Sequence, residues 1–148
     1  MLTLAVKLSI TAAFVYFMVA LITGVWKYQL MVSSPKARSR YYVDIAHRSS
    51  FLYSSAAMLL AMLAYFSQLP EWLNNSAVIA NLVFFTAAII SYIHQGLLNK
   101  TSNQIRASME GEDYAAPMGL VHGFMVALII AEVGGTLVLG YGAMLNIW

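Results

Sequence analysis

Four long apolar runs determine what this 148-residue chain can fold into. They cover about residues 8–26, 49–69, 77–98 and 118–145, and a helix needs about 20 apolar residues to cross a bilayer core. Charged residues make up only 9% of the chain, against about a quarter in a soluble domain. No segment alternates with the strand period of a membrane barrel. We therefore predict one domain, an all-α integral membrane four-helix bundle.

The positive charges predict the orientation of this bundle. Seven of the eight Lys and Arg residues lie in or beside two connections, residues 28–48 and 99–117, and with four spans both connections share one side of the membrane. Because cytoplasmic loops are rich in Lys and Arg, we expect these two loops to be cytoplasmic and both termini to lie outside. This is the arrangement of a multi-pass protein of a bacterial inner membrane.

Several classes of site and partner are excluded by composition. The chain has no cysteine, which removes disulfides, thiolate metal sites and cysteine nucleophiles. It has no glycine-rich phosphate loop and no nucleophile elbow. It also has no basic patch with interleaved aromatic residues, so we expect no nucleic-acid partner. The expected partners are the lipid bilayer, further protein subunits and, for an enzyme, a small apolar substrate.

The three histidines all fall near the predicted cytoplasmic interface. A neutral imidazole there is suited to binding a metal or heme iron. Small residues at helical spacing share a face with each histidine or lie beside it, and they either pack helices closely in lipid or leave room for a flat cofactor. On the second helix this face reads Ser50, Ser54, Ala57, Ala61 and Ala64. The candidate cofactor-binding residues are His47, Ser50, Ser54, His94, Gly119, His122 and Gly123.

Glu132 is the one acidic residue within the body of a predicted span. A carboxylate is costly at that depth and is functional by default. It could serve as a proton relay, a substrate contact or a partner for another subunit; the alternative is a protonated glutamate hydrogen-bonded within the bundle. Asn81 on the third helix is expected to form an interhelical hydrogen bond.

A short motif opens the second helix. Ser34-Pro35 leads through Tyr42-Val43-Asp44-Ile45 to Ala46-His47. In this motif, in length and in the four helices, the chain resembles the styrene oxide isomerase family. The resemblance implies a homotrimer that holds heme b between subunits, with His47 as the axial iron ligand. It also implies that ferric iron acts as a Lewis acid on an epoxide oxygen, so that a hydride shift gives an aldehyde.

The sequence also departs from that family. Tyr53 stands where the family has an asparagine, the family's aspartate on the third helix has no counterpart, and Tyr92 lies near the position of its tyrosine. The candidate catalytic residues are therefore Tyr53, Tyr92 and Glu132. The layout is also similar to the membrane-associated eicosanoid and glutathione metabolism proteins, but Ile45, Ser49 and Leu52 replace three polar residues of their motif.

Two other functions stay open from the residues alone. An electron-carrying cytochrome b-type subunit would ligate one iron through two histidines. A cofactor-free accessory or anchor subunit of a larger membrane complex would use the small-residue faces for packing only. The favoured expectation is a heme-dependent isomerase acting on a small, apolar, epoxide-like substrate.

Overall fold

The computed structural model describes all 148 residues and contains helices and no strands. A five-residue π-turn, Ile130–Gly134, interrupts the last span. Four spans are long and apolar enough to cross a membrane, which confirms the all-α class and the four-helix expectation. The helices are α1 Leu4–Val32, α2 Tyr41–Phe66, α3 Glu71–Leu98, α4 Gln104–Met109, α5 Met118–Ile129 and α6 Gly135–Ile147.

The helices extend past the apolar runs at most of their ends. α1 exceeds the predicted 8–26 on both sides, and α2 and α3 begin earlier than predicted, at Tyr41 and Glu71. An apolar run marks only the hydrocarbon-facing part of a helix, whereas the backbone continues to satisfy its own hydrogen bonds through the interface. Only α2 ends early, at Phe66, so the link to α3 is the short segment 67–70 rather than 70–75.

Small side chains hold α1 and α2 together. Ser54 Oγ donates a hydrogen bond to the Ala13 carbonyl of α1 at 2.8 Å, and both residues are buried. In lipid such close contact is the main source of helix association, because there is little hydrophobic driving force between helices. The small face predicted on α2 is buried along its whole length: Ser50, Ser54, Ala57, Ala61 and Ala64.

α3 is joined to the other helices by polar contacts. The Tyr16 hydroxyl of α1 lies 3.1 Å from the Leu82 carbonyl and 2.7 Å from Thr86 Oγ1. At the far end of α3, the Arg40 guanidinium donates to the Gly96 carbonyl at 3.1 Å. A cation at this position satisfies a free carbonyl and complements the negative end of the helix dipole.

The two halves of the fourth span are packed very differently. α6 lies against α2 and α3, and an added Cβ at Gly142 would collide with Ser67. α5, in contrast, has no buried residue. At the α6 end the fourth span therefore packs against α2 and α3, whereas the close backbone contacts of α5 are with α4 and the π-turn.

Candidate functional site

His47 faces α1 and is oriented by that helix. Its Nδ1 lies 2.8 Å from the Ala20 carbonyl oxygen. Because a carbonyl can only accept, the ring carries its proton on Nδ1 and donates it there. Nε2 makes no hydrogen bond within the chain, so in the neutral ring its lone pair could bind a metal ion. A backbone carbonyl at the other ring nitrogen is the usual way in which metal-binding histidines are oriented.

Gly24 provides the space in which the imidazole lies. A Cβ at this position would stand 2.8 Å from Cε1 and 3.0 Å from Nδ1 of His47. Phe51 packs its ring edge-on to the imidazole, with 5.2 Å between centroids. The ring of His47 is therefore fixed by contacts with both α1 and α2.

Charged residues surround the first turns of α2 beside His47. Asp44 is bridged by Lys27 Nζ at 2.6 Å and by Arg48 Nη2 at 2.9 Å. One carboxylate thus pairs with two cations, which leaves the cluster with a net positive charge. A ligand with an apolar body and acidic groups at one end would match this edge.

The structure does not bring the other histidines to His47 as one cluster. His94, near the end of α3, and His122, near the start of α5, are both exposed. No group of three or more His, Cys, Asp or Glu side chains is arranged to hold a metal ion. Ser50 and Ser54 donate to the Ala46 and Ala13 carbonyls and serve the packing of α1 against α2.

Glu132 lies in the π-turn, halfway along the fourth span. Single π-turns inside α-helices are rare and occur frequently at functional sites. Glu132 Oε1 is buried and has no hydrogen-bond partner. A polar atom in this state is expensive to keep unpaired in an apolar environment.

Asn81 of α3 binds the π-turn. Its Nδ2 donates to the Ala131 carbonyl at 3.3 Å, and Thr136 Oγ1 donates to its Oδ1 at 3.4 Å. This confirms the interhelical role expected for Asn81. Gly135 allows the approach, because an added Cβ there would collide with the Asn81 amide and lie 3.0 Å from the Ala77 carbonyl.

An open cavity of about 760 Å³ lies beside Glu132, between α2, α3 and the fourth span. Tyr53 borders it and stacks on Phe85 with 4.5 Å between ring centroids. The predicted residues Tyr53 and Glu132 are thus brought together. Further lining residues include Leu52, Ala56, Asn81, Thr136, Leu137 and Tyr141.

A second cavity, of about 820 Å³, lies between α3, α4 and α5. Tyr92, Gly119 and Gly123 line it, and Tyr53 borders both cavities. His47 lines neither. Within one subunit the structure therefore separates the candidate iron ligand, which faces α1, from the candidate catalytic residues, which face α3 and the fourth span.

Sequence reasoning missed the two features that shape these sites. Gly24 has no neighbouring motif, and its role depends on a contact with another helix. The π-turn occurs in a run whose composition is that of any membrane helix; the only signal of it is an acidic residue followed closely by the Gly134-Gly135 pair.

Comparison with known proteins adds no relative. No protein-family model matches this chain, and no match is found among curated proteins or solved structures. The candidate sites are therefore interpreted from their own residues.

Proposed function

We propose that the chain is an integral membrane heme protein in which His47 is the axial iron ligand. The observation that carries this proposal is the 2.8 Å contact between His47 Nδ1 and the Ala20 carbonyl. In the neutral ring it leaves Nε2 with the lone pair that ferric or ferrous iron would bind. This orientation of His47 supports the cofactor that the family resemblance implies.

The surroundings of His47 also suit a porphyrin. Phe51 packs edge-on against His47 and against Phe17 of α1 and would offer aromatic contact, and Lys27 and Arg48 stand at the charged edge. These two cations would hold the propionate carboxylates. When bound, heme with one open iron position supplies a Lewis acid for opening an epoxide ring.

Ligation of the heme iron by a single histidine favours catalysis at the iron over electron transfer. His94 and His122 are exposed and belong to helices other than the α1–α2 pair, so we expect no second imidazole from the same subunit to share an iron with His47. An iron with an open position can accept a substrate oxygen, whereas two histidine ligands block it. We therefore propose an isomerase of small, apolar, epoxide-like substrates rather than a cytochrome b.

A homotrimer accounts for the separation of the sites. His47 faces α1, whereas Tyr53 and Glu132 border a cavity on another side of α2. A cyclic assembly joins two different surface patches of identical subunits. In such a trimer the His47 face of one subunit would meet the cavity face of the next, with both termini outside the cytoplasmic membrane.

The proposal is tested by the visible spectrum of protein purified in detergent from cells supplied with heme precursor. We expect a Soret band, its loss in His47→Ala, and its retention in the matched variants His94→Ala and His122→Ala. The heme-loaded protein is then assayed for conversion of an aryl epoxide to the aldehyde.

Other outcomes identify the competing functions. A low-spin spectrum that disappears in His94→Ala or His122→Ala would indicate a two-histidine cytochrome. A colourless protein that takes up no added hemin and co-purifies with other chains would indicate an accessory subunit. Either result would contradict the proposed isomerase.

A further inference from the structure

The cavity beside Glu132 combines three features that no packing role requires. An acidic side chain stands at mid-span, a π-turn presents it, and one carboxyl oxygen is buried without a partner. None of the eight Lys and Arg residues lines the cavity. An ionised carboxylate at this depth needs a positive partner, and the chain does not provide one.

The walls of the cavity indicate which partner fits. Tyr53, Phe85 and Tyr141 contribute aromatic rings, and the remaining lining is mainly aliphatic. Aromatic faces attract cations, most strongly when water is excluded. A carboxylate among aromatic rings therefore selects an ammonium group attached to an apolar body.

Two polar side chains of the lining fix the position of the π-turn. Buried Asn81 donates to the Ala131 carbonyl of the turn and accepts a hydrogen bond from Thr136. These bonds fix the backbone on either side of Glu132. The cavity volume of about 760 Å³ lies within the range of small-molecule sites, about 300–1,000 Å³.

We propose that this cavity is a binding site for a lipophilic amine, whose ammonium group pairs with Glu132 while its apolar body lies against Tyr53, Phe85 and Tyr141. This inference goes beyond the proposed heme function. It concerns the cavity face that the proposed trimer would bring against His47 of the next subunit, but it does not depend on heme, and its test requires none.

The test measures binding of a radiolabelled dimethylaminobutyl-benzene to the full chain in lipid nanodiscs. We expect saturable binding and displacement by the unlabelled amine. We expect no displacement by the isostere in which an isopropyl group replaces the dimethylamino group. Displacement by the isostere at similar concentration would overturn the proposal, because it would show that the cavity selects only for apolar character.

Variants then assign the contact to named residues. Glu132→Gln keeps size and should lower affinity at least about tenfold, the usual result of removing one partner of a buried charge pair. Glu71→Gln, an exposed acid at the start of α3, is the matched control and should leave affinity unchanged. Equal affinity of Glu132→Gln and the native protein would overturn the proposal.

The aromatic contribution is tested separately. Tyr141 is 63% exposed and can be changed without disturbing the core. Tyr141→Leu should lower affinity about two- to fivefold, whereas Tyr141→Phe should retain it, because the ring face and not the hydroxyl attracts the cation. An equal loss in both variants would contradict a ring contact. Each variant is first checked for a single symmetrical peak in size-exclusion chromatography.

Discussion

His47 keeps its orientation because residue 24, on the opposing helix, has no side chain. The imidazole occupies the volume that a Cβ would need, and its hydrogen bond to Ala20 holds it there. In the proposed heme site, the orientation of the iron ligand His47 thus depends on Gly24, which would not contact the heme. Gly24 would affect heme binding only through the position of the imidazole.

Gly24→Ala should separate cofactor binding from stability. The new methyl group would displace the His47 ring and break its contact with Ala20, so we expect loss of most of the bound heme. Alanine is a better helix former than glycine by about 1 kcal/mol, and this gain offsets a loss of similar size from the broken hydrogen bond, so the thermal stability of the heme-free protein should change little. Heme content per protein and the unfolding temperature are the two measurements.

Gly134→Ala is the matched control for this substitution. An added Cβ there meets no atom within 4 Å, and Gly134 lines neither cavity. It should retain heme fully. If Gly24→Ala also retained heme with an unchanged spectrum, the proposed seating of the imidazole would be wrong.

Ser54 tests the α1–α2 contact at the level of one hydroxyl. Ser54→Ala removes its bond to Ala13 and should cost about 0.6 kcal/mol, the average for interhelical hydrogen bonds in membranes. Ser55→Ala is the control, because Ser55 is exposed and bonds only within its own helix, to Phe51. Unfolding titrations in mixed micelles measure both, and an equal effect would contradict an interhelical role.

At the scale of elements, the π-turn depends on how closely the fourth span approaches α3. Asn81 supplies a donor to the Ala131 carbonyl, and Gly135 permits the contact. The acidic residue is thereby held at a fixed height in the span. The π-turn and Gly135 depend on the same contact with α3, although Gly135 belongs to the α-helix that follows the turn.

The adjacent glycines 134 and 135 allow a direct test of that contact. Gly135→Ala would place a methyl group against Asn81 and the α3 backbone, and overpacking of this kind costs about 1–3 kcal/mol. Gly134→Ala meets open space and should change stability by less than about 1 kcal/mol. Thermal unfolding in detergent compares the two. Similar values would show that α3 does not contact the π-turn as closely as described.

Much of this architecture can be predicted from the sequence because its signals are local. Apolar runs of the required length predict the four spans, and the small-residue face of α2 predicts its buried side. The direction of His47, the π-turn and the exposure of α5 depend on contacts between residues far apart in the chain, such as Gly24 with His47. Periodicity identifies a face but does not say which helix will cover it.

At the scale of the molecule, the absence of cysteine makes the orientation directly measurable. Ser102→Cys lies in the connection predicted to be cytoplasmic, and Gln68→Cys lies in the short link on the opposite side; both positions are exposed. On intact spheroplasts we expect a membrane-impermeant maleimide to label only Gln68→Cys. After lysis it should label both. Labelling of Ser102→Cys on intact spheroplasts would reverse the predicted topology.

Because α5 has no buried residue, we expect the cavity between α3, α4 and α5 to open towards the surrounding lipid. Compounds dissolved among the acyl chains would then reach it sideways, without first passing through water. Partitioning of an apolar compound from water into the bilayer would then set its concentration beside the cavity. A weak intrinsic affinity of the cavity would therefore suffice for binding. Apparent binding constants should scale with the amount of lipid in the assay rather than with the aqueous concentration.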